Sequence, residues 1–502
     1  MKRKKTIYDV FVIGGGINGC GIARDATGRG LKVCLAEMSD LGSGTSSAST
    51  KLIHGGLRYL RYFDFRLVRE SLKEREVLLK NMPHICWPMR FVLPAPKAML
   101  QKMVIRLGLF IYDNLGGRTI LPGTKTIRAR DPNLGTILRN KFSSAFVFSD
   151  CWVEDARLVI LNAVDAKKRG AQVLTHTKVK SIKREEKYWK VTTESKVGIT
   201  KEFFSYSIVN AAGPWVNAFN NNISKENTSI HLVKGSHIVV KKMFEHKNSY
   251  FLLGQDGRII FVIPFQEDFT LIGTTEKPHD DISREPTCSK EEKKYLIEFA
   301  NSYFNSNLDL ESVVWSYSGV RSLYKNLTDN QGSMSSITRD YMLHVELINE
   351  LPILTVYGGK LTTYRKLAEN VLFKMKSYFP KMGESWTSEE PLPGGNFKLN
   401  EKARLVKELR EKYSFLDEKW STRLINSYGT LCDGLLGDSK TKEDLGIDFG
   451  HSLTEKEVKW LIEKEFASCE EDILWRRTKL GLRFTKKQEK KLSEWFQNNL
   501  SM

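Results

Sequence analysis

Two sets of residues in this 502-residue chain have types and spacings that do chemistry. The first is glycine. Gly14, Gly16 and Gly19 read G-x-G-x-x-G, with Gly15, Ile17 and Asn18 between them. In such a turn the first glycine permits the bend, the second lets backbone approach a pyrophosphate, and the third lets helix and strand pack closely. Glu37 then stands where a carboxylate accepts ribose hydroxyls; it would repel a 2′-phosphate, which favours NAD or FAD over NADP. A later cluster, Gly358-Gly359-Lys360-Leu361-Thr362-Thr363, offers backbone N–H groups and a helix dipole to an anion and would suit the electron-rich edge of a reduced flavin. The second set is cationic. Arg58, Arg321, Arg339 and Lys360 lie beside glycines or at the ends of core elements. Guanidinium groups grip phosphate bidentately, and charge-assisted bonds contribute roughly 1.5–3 kcal/mol each, so two or three of them hold a small phosphorylated molecule.

The elements that must position these groups follow from the apolar pattern. Residues 8–13 form a β-branched and aromatic run cut off by the first glycines, which reads as a buried parallel strand; a helix and a second strand, residues 32–36, complete a βαβ unit. The loop of residues 39–50 carries the small hydroxylated side chains of Thr45, Ser46, Ser47 and Ser49, suited to a cofactor's phosphate and ribitol. Lys51 to Leu60 then places Gly55 and Gly56 beside His54, Arg58 and Tyr59, as though backbone passes close to a flat ring while polar groups reach beyond it. Residues 65–80 have helical spacing. Prolines 83, 88, 94 and 96 mark the departure into a second domain, and the βα alternation returns after Ser149. A strand at 204–209 ends in Asn210-Ala211-Ala212-Gly213, where cofactors bind. Residues 230–275 alternate as an antiparallel sheet, the kind of platform that covers one face of a ring. Beyond Pro391 the chain reads as a helical domain without chemistry.

Composition narrows the class. At 41% hydrophobic and 27% charged residues the chain has globular composition, with length for two or three domains. Seven scattered cysteines, never spaced C-x-x-C, point to reduced thiols in a cytoplasmic compartment. No Cys/His set has metal spacing and no G-x-S-x-G occurs, so metal and acyl-transfer chemistry drop out. No apolar run is long enough to span a bilayer, and the basic start runs straight into a core strand instead of a signal segment, so the chain is expected neither to cross a membrane nor to be exported. The net charge of +19 is lopsided: residues 1–130 hold 23 Lys and Arg against 9 Asp and Glu, whereas residues 391–502 hold 21 against 19. Lys97 to Gly117 forms a basic amphipathic helix that could lie in an anionic lipid interface. A basic nucleic-acid binder would interleave aromatics with the basic patch, and residues 1–130 do not, so no nucleic acid is expected.

Taken in order, Val12 to Gly19, Ser46 to Leu60, Lys234-Gly235-Ser236-His237, Tyr317 to Arg321 and Gly358 to Tyr364 resemble the FAD-dependent, quinone-linked sn-glycerol-3-phosphate dehydrogenases, and the resemblance runs on to Trp475-Arg476-Arg477-Thr478. The resemblance implies an α/β fold. Its Rossmann-like FAD-binding domain, of the glutathione-reductase and D-amino-acid-oxidase kind, would comprise 1–83, 148–225 and 337–385. An antiparallel β-sheet substrate (cap) domain would take 84–147 and 226–336, and a helical C-terminal domain 390–502. It implies oxidation of glycerol 3-phosphate to dihydroxyacetone phosphate, with electrons passed through FAD to a quinone. The enzyme would be cytoplasmic and peripheral, on the anionic inner face of the cell membrane, and the resemblance admits a homodimer. By motif, Gly14 to Gly19, Glu37, Thr45, Ser46, Ser47, Ser49, Lys51, His54, Gly55, Ala212, Gly213 and Gly358 to Thr362 would hold the cofactor. Arg58, Tyr59, Arg321, Arg339 and Lys360 would hold the substrate. His237, with Arg58 and Arg321, would serve catalysis: the imidazole takes the hydroxyl proton, a part His54 or an arginine beside the flavin could also play. The alternative within the same chemistry is an oxidase that reduces oxygen to hydrogen peroxide.

Overall fold

A computed structural model describes residues 5–128, 138–139, 142, 144–220, 230–254, 257–324 and 340–500. Its centre is the βαβ unit read from the sequence. Strand β1 (Ile7–Ile13) leads through the glycine turn into helix α1 (Ile17–Gly28) and strand β2 (Val33–Ala36). β1 pairs in parallel with β2 on one side and with Thr200–Asn210 on the other. Across the sheet the order is Met342–Ile348, Leu351–Tyr357, Thr200–Asn210, β1, β2, Gln172–Leu174. The middle strands are buried on both faces, which is why they read as continuous apolar runs. Helix α1 is covered by Asp155–Lys168 and Tyr364–Met375, so even Arg24 and Asp25 on it are buried and are satisfied by ion pairs, Arg24 to Asp165 and Arg29 to Asp25. A Cβ on Gly19 would lie 1.9 Å from the Gly14 carbonyl oxygen; helix and strand approach this closely only over glycine.

The second sheet runs Lys277–Pro278, Ile230–Lys241, Phe269–Gly273, Ile259–Phe265, Ser249–Leu253, Cys86–Pro94, Ser144–Val153, Leu52–Ile53, with Val313–Tyr324 paired to Ile230–Lys241. It is antiparallel except where Ser249–Leu253 meets Cys86–Pro94 in parallel. The fully buried strand Ser144–Val153 belongs to this sheet, past the 147/148 division drawn from the sequence, and Leu52–Ile53 joins it from within the first segment. The loop that follows Glu37 therefore crosses from one sheet to the other.

The C-terminal helices Lys402–Lys412, Glu418–Tyr428, Glu455–Glu465 and Lys486–Leu500 enclose a core of their own, with Trp420, Leu424, Tyr428, Leu461 and Phe496. They are anchored to both sheets' domains. Arg157 pairs with Glu465, Arg476 and Arg477 pair with Asp40, Arg483 pairs with Asp268, and the ring of Trp475 stacks on Trp315 at 4.8 Å. All seven cysteines are free, and among the described residues no helix is long and apolar enough to cross a membrane.

Candidate cofactor and substrate cavity

Between the two sheets lies a continuous cavity of about 1410 Å³. That exceeds the room a small molecule needs and suits a dinucleotide together with a small substrate. The glycine turn forms one part of its wall. Gly14, with φ of 103°, bends the chain, and Gly15 N donates to Glu37 Oε2 at 2.6 Å. Ser39 N donates to Glu37 Oε1 at 2.9 Å, and burial raises this carboxyl against those bonds. Ile17 N donates to Ser46 Oγ at 3.0 Å, so the loop of hydroxylated residues is tied to the start of α1. A Cβ on Gly16 would meet only Ser46 Oγ, at 3.1 Å.

The second glycine turn meets the first through Asn18, whose Nδ2 donates to the Gly358 carbonyl at 3.1 Å. Asn18 Oδ1 is buried with no hydrogen-bond partner among the described residues. Gly358 and Gly359 have φ of 73° and 106°, and a Cβ on Gly359 would lie 2.7 Å from Asn18 Nδ2. Two strand ends and two helix starts thus converge, with N–H groups that have no helical acceptor. An open backbone cradle, an orphaned amide oxygen and a carboxylate at the end of β2 fit the phosphate and ribose groups of FAD. His54 is locked to the second turn, its N–H donating to Thr362 Oγ1 at 3.2 Å. Thr45 Oγ1 reaches across to the Val320 carbonyl at 2.5 Å, binding the loop to the second sheet.

The cations line the same cavity. Arg58 and Arg321 flank Glu276, whose Oε1 is 3.8 Å from Arg58 Nη1 and 3.6 Å from Arg321 Nη1. Lys360 Nζ lies 4.1 Å from the centre of the Tyr59 ring. All five side chains line the wall. Arg339 lies outside the described residues.

Gly14, Gly16, Ile17, Asn18, Glu37, Thr45, Ser46, Ser49 and His54 line the cavity, as do Ala212, Gly213 and Gly358 to Thr362. The remaining sequence expectations sit behind the wall. Gly15 is backed by Glu37 and Gly19 by the Gly14 carbonyl. Gly55 N is bonded to the Tyr112 hydroxyl at 2.7 Å, and its Cβ position is filled by Leu72. Ser47 gives its carbonyl to Lys51 Nζ at 3.0 Å, and that ammonium, fully buried, is paired with Asp155 at 2.7 and 2.8 Å. Lys51 is thus a structural ion pair and not a cofactor ligand. His237 is 1% exposed. Its Nε2 is 2.9 Å from Thr50 Oγ1, its ring stacks on Tyr317 at 4.9 Å, and Thr50, not His237, lines the cavity. Burial, and then the charges of Arg321 and Lys51, push its proton affinity far below the ordinary histidine range, so it is neutral. The expectation of direct proton transfer from substrate to His237 is corrected to contact at one remove.

Sequence reasoning missed Glu276, although it follows Gly273-Thr274-Thr275 at a strand's end, where site residues gather. It also missed Cys469, Glu471, Asp472 and Arg476, which line the wall from the C-terminal domain. Arg476 falls in the Trp475-Arg476-Arg477-Thr478 segment that ends the resemblance, but no local pattern placed it or the other three at the site.

Comparison with known proteins agrees with this geometry. The family model described as FAD dependent oxidoreductase matches residues 9–365, and the C-terminal domain of alpha-glycerophosphate oxidase matches residues 385–497. The chain is 46% identical to D-erythritol 1-phosphate dehydrogenase of Brucella abortus, over 98% of both chains. It is 44% identical to aerobic glycerol-3-phosphate dehydrogenase of Escherichia coli, over 97% of both. The crystal structure of the glycerol-3-phosphate dehydrogenase from Bacillus halodurans complexed with FAD superposes with a TM-score of 0.76 at 26% identity, covering 100% of this chain and 95% of that one.

Proposed function

Because this chain belongs to the FAD-dependent oxidoreductase family and takes FAD as its cofactor, we propose that it oxidises glycerol 3-phosphate to dihydroxyacetone phosphate and delivers the electrons to a membrane quinone. The observation that carries this reading is the convergence of Arg58, Arg321 and Lys360 beside Tyr59 at one end of the cofactor cavity. Fixed cations there suit a phosphate dianion, and a phosphate so anchored leaves the rest of a short polyol to face the cofactor. FAD, when bound, supplies the acceptor for the hydride that leaves carbon 2. The hydroxyl proton goes to a protein base as the carbonyl forms. His54 is on the wall and is the residue we assign to that proton. His237 holds Thr50 in place from behind. Arg321 and Arg58 fix the phosphate, and Glu276 stands between the two guanidiniums and offsets part of their mutual repulsion until the anion arrives.

Delivery to a membrane quinone is supported by helices α2 (Phe65–Asn81) and α3 (Met99–Leu115) and the turn before them. On α3, Met99, Leu100, Met103, Val104, Leu107 and Phe110 are all exposed, Leu100 at 75%, and Phe63 beside them is 78% exposed. Only Leu109 and Tyr112 of α3 are buried. With Lys97 and Arg106 also exposed, this face has the composition of an interfacial helix on anionic lipid.

The test is anaerobic: glycerol 3-phosphate added to the yellow protein should bleach the flavin, and no bleaching would remove the reading. A second substrate, a four-carbon polyol 1-phosphate, is favoured by the 46% identity to the erythritol-phosphate enzyme; faster bleaching by erythritol 1-phosphate would select it. Peroxide formation in air, without quinone or dye reduction, would select the oxidase.

A further inference from the structure

The C-terminal domain was expected to carry no chemistry, yet Cys469, Glu471, Asp472 and Arg476 stand on the cavity wall. Arg476 donates from Nε to Asp40, three residues beyond Glu37, and from Nη2 to Asp472 at 2.5 Å. Asp472 also accepts from Ser468 N at 2.8 Å. Ser468 Oγ is 2.8 Å from His176 Nε2, and the next residue, Thr177, donates its N–H to the Glu37 carbonyl at 2.7 Å. Two separate ties from one short segment, Arg476 to Asp40 and Ser468 to His176, therefore end on the stretches that flank Glu37. The buried Asp40 needs only Arg477 for its charge, which Arg477 meets through both Nη atoms. Arg476 is thus a second cation at the cavity wall, held among three carboxylates, Asp40, Asp472 and, at 3.5 Å, Glu471.

We propose that residues 468–477 are a cofactor-binding element, closing the adenosine half of the FAD site against Glu37, so that FAD affinity and docking of the C-terminal domain are linked. The chemistry it recognises is an adenosine diphosphate moiety, not the flavin ring. Its guanidinium, carboxylates and half-exposed thiol supply polar contact and exclude water on the side of the nucleotide that the β1–α1–β2 unit leaves open. By linkage, whatever holds the segment in place strengthens cofactor binding, and bound cofactor strengthens the docking in return.

The unmodified protein carries its own probe. Cys469 and Cys288 are the two partly exposed thiols; the other five are buried. Burial pushes both of these thiols up to about 11, and Cys288, which is not on the wall, serves as the internal reference, each thiol being compared with its own rate without ligand. In protein stripped of flavin, alkylation of Cys469 followed by mass spectrometry should slow by at least about tenfold with saturating FAD or ADP, while Cys288 is unaffected and FMN gives Cys469 no protection. Equal labelling of Cys469 with and without FAD, or protection by FMN equal to that by ADP, would overturn the proposal. As a second measurement, R476Q should raise the FAD dissociation constant about tenfold, since one charge-assisted contact is lost while Asp40 keeps Arg477. R483Q, which removes a tie of the same domain to Asp268 and touches nothing in residues 468–477, should raise that constant clearly less than R476Q does. No effect of R476Q, or an equal effect of R483Q, would reduce the segment to a strut. Both readouts are binding, so a chain that failed to oxidise glycerol 3-phosphate would sink the proposed activity and leave this inference standing.

Discussion

Glu276→Gln should strengthen binding of inorganic phosphate, the opposite of what most substitutions in a binding site do. The carboxylate stands 3.8 Å from Arg58 and 3.6 Å from Arg321, so an anion approaching either guanidinium competes with it. The three side chains are 19%, 36% and 23% exposed for Arg58, Arg321 and Glu276, and solvent screens them. Each contact is therefore worth the value of a solvated pair, about 0.2–1 kcal/mol, and the two together oppose an incoming phosphate by about 1 kcal/mol. That corresponds to about fivefold in a dissociation constant. Glutamine keeps the length of the side chain and one carbonyl acceptor but removes the charge. The assay is competitive inhibition by inorganic phosphate of substrate-dependent dye reduction, in wild type and E276Q matched for flavin content. The inhibition constant should fall about fivefold, and the gap should narrow as salt is added. An unchanged or higher inhibition constant in flavin-replete E276Q would refute the reasoning, because the carboxylate would then not be competing for the anion site.

Other perturbations test separate parts of the structure. R321Q should lower kcat/KM for glycerol 3-phosphate about 10- to 100-fold, mostly through KM, since one charge-assisted contact of roughly 1.5–3 kcal/mol is lost; a flavin-replete variant within threefold of wild type would exclude Arg321 from phosphate binding. L100E/L107E places charge on the exposed face of α3, and it should cut sedimentation with anionic vesicles while leaving Tm unchanged; wild-type sedimentation would remove α3 from the membrane contact. Burial holds His84 well below its ordinary value of 6.5. Below that pH the unfolded chain takes up a proton that the folded chain refuses, so the contribution is present above about pH 6.5 and is lost as pH falls, by up to about 1.4 kcal/mol per pH unit. H84Q should therefore show a shallower fall of Tm between about pH 7 and 5.5 than wild type; parallel slopes would contradict it.

What was legible in the sequence is what backbone geometry dictates locally. The turn announces itself because Gly14 takes a positive φ and no side chain fits at Gly19 beneath the Gly14 carbonyl, and β1 must be apolar because both its faces are covered. The cations were legible for a related reason: Arg58, Arg321 and Lys360 each sit within two residues of a glycine, although Gly319 and Arg321 lie inside the strand Val313–Tyr324 and not at its end, and the fold brings the three cations to one wall. Pairings between distant residues left no local trace. Lys51 looked like a cofactor ligand because Asp155, its partner, is more than a hundred residues away. His237 looked like a base because its neighbours in the chain do not reveal that Thr50 and Tyr317 enclose it. The wall residues 469–476 were hidden for the same reason, since only tertiary docking brings them to Asp40.

The strand order of the cofactor sheet has a consequence for biosynthesis. β1 takes its neighbour from Thr200–Asn210, and that strand takes its own from Leu351–Tyr357. The nascent polypeptide thus emerges with β1 and its partner β2 first, while Thr200–Asn210 on the other edge of β1, and Leu351–Tyr357 beyond it, follow much later. At roughly 5–20 residues per second, the ribosome needs on the order of tens of seconds to reach them. Throughout that interval β1 offers an unpaired edge to its surroundings, so this chain should depend on holdase chaperones during translation more than a protein whose sheet is assembled from consecutive strands.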